Sequence, residues 1–135
     1  MNTFNQITDE ILAILGREEA FLRALPEDVI TTRFNHQGRS IKMLLGHLID
    51  SASNNHQRMV HLQDYQHEDW DTLLSLWKYC NLHIIQVIKS ADPTKMDNYW
   101  LDYEGNQVTL RDMIIGYTGH LDLHIGHIHK LVENP

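Results

Sequence analysis

The chain has 135 residues, 42% of them hydrophobic and 21% charged, with only 7 Gly and 3 Pro, so it is one ordinary globular domain over 1–135 and not a disordered or fibrous protein. Its formal net charge of -7 opposes the phosphate neutralisation on which nucleic-acid affinity rests, which argues against a nucleic-acid partner. Cys80 is alone, excluding an intrachain disulfide or a cysteine-rich zinc module.

The N-terminus has neither a basic leader nor a long apolar run, and no stretch approaches the roughly 20 apolar residues that span a bilayer. A cytoplasmic protein with no membrane partner is expected. Phe4, Ile7, Ile11, Ile14, Leu15, Phe21, Leu22 and Leu25 recur at helical spacing until Pro26, predicting a first helix over about 3–24. From Pro26 to Gly38 a loop is expected, in which Thr31, Thr32 and Phe34 are extended.

Ser40 precedes the apolar run Ile41, Leu44, Leu45, Leu48 and has the chemistry of an N-cap, opening a second helix over about 40–66. The third helix, over about 69–90, carries Leu73, Leu76, Trp77, Cys80, Ile84, Val87 and Ile88 and stops before Asp92-Pro93. Cys80 reads as a small core residue, and Trp70, Trp77 and Trp100 as packing residues. The period then disappears, and Tyr99 to Val108 reads as a long loop or small hairpin turning at Glu104-Gly105-Asn106. Thr109, with Asp112 three residues on, restarts a helix over about 109–132. Four amphipathic helices with a long loop between the third and fourth make an all-α antiparallel four-helix bundle the expected fold.

Ten histidines are scattered through the chain. His120, His124 and His127 follow i, i+4, i+7 spacing and fall within about 60° of one another on the fourth helix. They sit on the edge of the apolar arc formed by Met113, Ile114, Tyr117, Leu121, Ile125 and Ile128, where side chains border a cleft. His47 stands in the same relation to the stripe of Ile41, Leu44, Leu48, Ala52, Met59 and Leu62, with Asp50, Asn54 and Arg58 within about 60° on its other side.

His47, His120 and His124 are therefore the expected ligands of one divalent metal. Three neutral imidazoles suit Zn, Ni, Fe or Co, with zinc and nickel the first candidates, and leave positions open for water or substrate. His127 lies roughly 10 Å along the axis from His120, too far for the same first shell, and is read as supporting the ligands or lining the cleft. Asn55 falls inside the apolar arc and needs a partner if buried, and Trp100 is a candidate pocket wall. There is no HExxH, CxxC, phosphate-binding glycine loop or GxSxG, and no Glu-x-x-His pair of a di-iron bundle.

Ser40-Ile41-Lys42-Met43-Leu44-Leu45-Gly46-His47-Leu48-Ile49-Asp50-Ser51, then Asn54-Asn55-His56-Gln57-Arg58, together with Tyr117-Thr118-Gly119-His120-Leu121-Asp122-Leu123-His124-Ile125-Gly126-His127-Ile128, resemble the DinB/YfiT-like superfamily along essentially the whole chain. The resemblance implies a four-helix bundle whose metal is held by one histidine of the second helix and an HxxxH pair of the fourth, here His47, His120 and His124. The chain departs from the family pattern at Arg39, where a Trp is common, and at His127, where a Gln is common.

The expectation is a metal-dependent enzyme, S-transferase-like or hydrolase-like, that activates a thiol or water against a small electrophile. The resemblance adds a low-molecular-weight thiol as cosubstrate. A homodimer is expected from the family and from Ile49, Val60 and Ile115, placed by the pattern on the outer sides of their helices. The alternative is a non-catalytic metal-binding or protein-interaction bundle.

Overall fold

A computed structural model describes residues 3–134 and is mostly helical. In chain order it has α1 (Thr3–Arg23), α2 (Glu27–Thr32), α3 (Ile41–His61), α4 (Trp70–Lys89), a 3-10 turn (Pro93–Lys95), β1 (Tyr99–Leu101), β2 (Gln107–Thr109) and α5 (Leu110–Glu133). The chain divides into two compact units, residues 1–67 and 68–135. No helix among the described residues is long and apolar enough to cross a membrane.

In the first unit Pro26 ends one helix and begins the next. Its carbonyl accepts the N–H groups of Val29 and Ile30 at 3.1 and 3.2 Å, and Glu27 and Asp28 put negative charge at the positive end of α2. These local terms outweigh the extended preference of Val29, Ile30, Thr31 and Thr32, so a short helix occupies part of the expected loop. The Thr31 hydroxyl bonds back to the Glu27 carbonyl at 2.7 Å, and the backbone turns extended at Arg33 after six helical residues.

Phe34 is extended as expected and forms an isolated antiparallel bridge with Ser40. The intervening turn is held by the Asn35 side-chain carbonyl, which accepts from Gln37 and Arg39, and by Gly38 at φ +74°. Ser40, 4% exposed, caps α3 by accepting the Met43 N–H at 3.1 Å.

That helix ends at His61, short of the expected position near residue 66, because Asp64 takes a left-handed conformation at φ 67° and its N–H returns to the Val60 carbonyl at 2.6 Å. Val60 is correspondingly the buried apolar side chain of this region, at 6% exposure. The sequence pattern had put it on an outer face, and this corrects that placement.

In the second unit Asp69 caps α4 by accepting both the N–H and the hydroxyl of Thr72, at 2.9 and 2.7 Å. Past Lys89, Asp92 repeats the device on Thr94 and opens the 3-10 turn. The long connection is then a built hairpin: Tyr99, Trp100 and Leu101 pair with Thr109, Val108 and Gln107, and the turn is closed by Asp102, whose carboxylate accepts from Glu104 and Asn106. Gly105 sits at φ +82°, where only glycine is unstrained. The Asn98 and Met96 carbonyls accept the N–H groups of Leu110 and Arg111, which joins the hairpin to the first turn of α5.

Part of the apolar stripe on each long helix is exposed, while Leu44, Leu73, Ile84, Ile114, Leu121 and Ile125 are half-buried. Ile11, Leu15 and Phe21 on α1, Leu48 and Met59 on α3, Trp70 and Trp77 on α4, and Met113, Ile128 and Leu131 on α5 are all exposed. Cys80 is exposed too, so neither it nor the tryptophans are core residues here. The reason is geometric: a helical period places apolar side chains on one face, and burial requires another element to cover that face.

Candidate metal centre

In α3, His47 is exposed on the same side as Asp50, Asn54 and Arg58, which are exposed as well. Asn55 is satisfied inside its own helix, its amide donating to the Ser51 carbonyl at 2.9 Å, so it needs no partner from elsewhere. Near the C-terminal end of α3, Gln57, Val60, His61, Asp64 and Tyr65 line an open hollow of about 360 Å³ that does not include His47.

Thr109 opens α5 by accepting the Asp112 N–H at 3.1 Å. Two turns on, the half-buried Tyr117 donates its hydroxyl to the Asn81 side-chain carbonyl of α4 at 2.6 Å, while the Asn81 amide donates to the Trp77 carbonyl at 2.7 Å. Both halves of that amide are thereby engaged, and α4 is tied to the sector of α5 from which the histidines project. Sequence reading missed Asn81, because a lone amide on a helix carries no periodic signal.

His120 and His124 lie with ring centroids 4.6 Å apart and planes at 73°, and His124 and His127 follow at 5.3 Å and 80°. The three imidazoles form one edge-to-face column on α5. All three are exposed. Among the described residues of the second unit, none of the three rings is engaged in a hydrogen bond or ion pair, so their nitrogens are available as donors.

The donor chemistry of this pair fits a borderline divalent ion: two adjacent imidazoles, one helical turn apart, with unengaged nitrogens. Two rings do not complete a site. Among the described residues no three His, Cys, Asp or Glu side chains are grouped to hold a metal ion, so within α5 His127 extends the column without making it a ligand trio. The expected trio takes His120 and His124 from the second unit and His47 from the first. Trp100 stands on β1 opposite Val108 and is 73% exposed.

A family model described as the DinB superfamily matches residues 15–128. The chain belongs to the DinB superfamily. No curated protein and no solved structure matches it. The span matched to the DinB superfamily runs from within α1 to within α5 and contains His47, His120, His124 and His127.

Proposed function

We propose that this DinB superfamily chain is a metal-dependent enzyme, S-transferase-like or hydrolase-like, in which His47, His120 and His124 hold one divalent ion, zinc or nickel. The observation that carries the proposal is the His120–His124 pair, with centroids 4.6 Å apart and no hydrogen bond on either ring among the described residues of its unit. When bound, such an ion supplies a Lewis acid that readies a thiol or water against a small electrophile.

The protein's own part is to bind and orient. Three imidazoles bring no negative charge, so the site favours an anionic nucleophile, and a low-molecular-weight thiol is the proposed cosubstrate. Arg58 offers a fixed positive charge, and Asp50 and Asn54 offer polar contacts, on the His47 side of α3, where they would hold a polar small-molecule substrate.

The same proposal has α1, α3, α4 and α5 close as an antiparallel four-helix bundle in one domain, since each carries an apolar stripe that gains stability only when covered. Ile49 and Ile115, 52% and 73% exposed, are proposed to face a second copy in a homodimer. The open stripes also favour the second reading, in which the histidines are incidental and the chain serves as a protein-interaction bundle.

The test is to assay metal in untagged protein and then to screen thiol conjugation and hydrolysis of small electrophiles with and without a chelator. We expect bound zinc or nickel and turnover that disappears on stripping the metal. Full turnover by the stripped protein, or by a variant with His120 and His124 both replaced by Ala, overturns the metal-dependent reading, whereas a chain with neither bound metal nor turnover favours the interaction bundle.

A further inference from the structure

We infer that His127 is a positioning residue, whose ring packs on His124 and holds that imidazole in its metal-binding orientation. The inference rests on the metal reading above and gives a role to the one member of the column that the three-ligand site does not use. His124 is the middle ring, meeting His120 at 73° on one side and His127 at 80° on the other.

An imidazole on an exposed helix face has a broad, roughly two-fold torsion about its ring bond, and an ion binds only the fraction of molecules whose ring nitrogen is aimed at it. A near-perpendicular neighbour restricts that torsion, because the electropositive edge of one ring is attracted to the electronegative face of the other. His127 is three residues from His124, within side-chain reach on a helix, and its centroid distance of 5.3 Å lies in the range of favourable aromatic pairs.

His127 has no other ring contact, ion pair or hydrogen bond among the described residues, so the His124 packing is its one structural commitment. It lies about 10 Å along the axis from His120 and so does not share one ion with the His120–His124 pair.

The experiment uses the full chain and two variants, His127→Ala and His127→Phe. Zinc affinity is read by competition with a chromophoric chelator, and the order of the His124 ring by NMR of the metal-free protein. Phe keeps an aromatic ring but has no ligating nitrogen. We expect His127→Ala to bind zinc about tenfold more weakly, the lower end for loss of a group that orients a ligand. The same variant should show a more mobile His124 ring without metal, at unchanged helical content, and His127→Phe should restore both properties.

Wild-type zinc affinity in His127→Ala overturns the inference. So does an equal loss in Ala and Phe, which would make the His127 nitrogen the contributor. A wild-type chain that binds neither zinc nor nickel removes the metal reading itself and the positioning role with it. An ordered His124 in wild type that loosens in His127→Ala then separates that failure from an absence of ring packing.

Discussion

Helices α3 and α5 both begin at a hydroxyl cap and both carry candidate ligands, yet they prepare those ligands differently. On α5 the pitch alone stacks His120, His124 and His127, because residues three and four apart are neighbours on a helix. On α3 His47 is followed on its side by Asp50, Asn54 and Arg58, and no histidine of α3 stands three or four residues from it. A ligand pair encoded in one helix assembles from local geometry, whereas a lone ligand depends on where its helix is carried. The α5 pair is thus the preorganised half of the proposed site, and His47 the half that tertiary packing must deliver.

Metal affinity in His124→Ala and His47→Ala breaks or sharpens this contrast with the largest effect. If all three imidazoles bind one ion, both substitutions weaken zinc binding by on the order of 100-fold or more, beyond the loss typical of a supporting residue. Both should leave helical circular dichroism in place. Loss in His124→Ala with wild-type affinity in His47→Ala would reduce the site to the α5 column.

A smaller effect separates the two caps. Ser40 is 4% exposed and caps α3 at 3.1 Å, while Thr109 caps α5 at the same distance from a half-buried position. Replacing Ser40 by Ala leaves the Met43 N–H without its acceptor where water has little access, and should cost about 1–2 kcal/mol. Thr109→Ala should cost about 0.5–1 kcal/mol, since water replaces part of the lost bond. Urea denaturation of the two variants measures the difference, and equal costs would mean that burial of Ser40 adds nothing.

The smallest effect lies in acid and belongs to the second unit. The Thr72 hydroxyl and N–H hold the Asp69 carboxyl below its ordinary 3.8, and the Thr94 hydroxyl and N–H, with Lys95, do the same for Asp92. A lowered carboxyl in the folded state contributes stability that is present above 3.8 and is lost as pH falls through the depressed value. The start of α4 should therefore fray only in acid below that point. Asp69→Asn keeps an acceptor without the titration and should flatten the acid dependence of Thr72 amide exchange. An unchanged acid profile in that variant would assign the dependence to other groups.

What proved legible in the sequence was mostly local. Ser40 and Thr109 stand where caps must stand, α4 begins beside Asp69, and the turn near Glu104-Gly105-Asn106 is where the hairpin reverses. Even the failures near these points have local causes: the short helix after Pro26 follows from its carbonyl and two acidic residues, and the early end of α3 from the left-handed Asp64. Each of these signals competes in the chain with an opposing one, the β-branched run Val29 to Thr32 in the first case and the apolar period that continues to Leu62 in the second.

The sequence by itself determined the superfamily, the helical period, the capping residues and the spacing of the α5 imidazoles, because each depends on side chains within a few residues of one another. The tertiary structure decided that Tyr117 meets Asn81 across 36 positions, that Val60 is buried, and that the Asn98 and Met96 carbonyls join the hairpin to α5. The edge-to-face angles of the three α5 rings are set by side-chain rotamers within that one helix. Pattern sets the face on which a side chain stands. The partner it meets there and the angle of its ring depend on rotamers and on chain segments brought close only by folding.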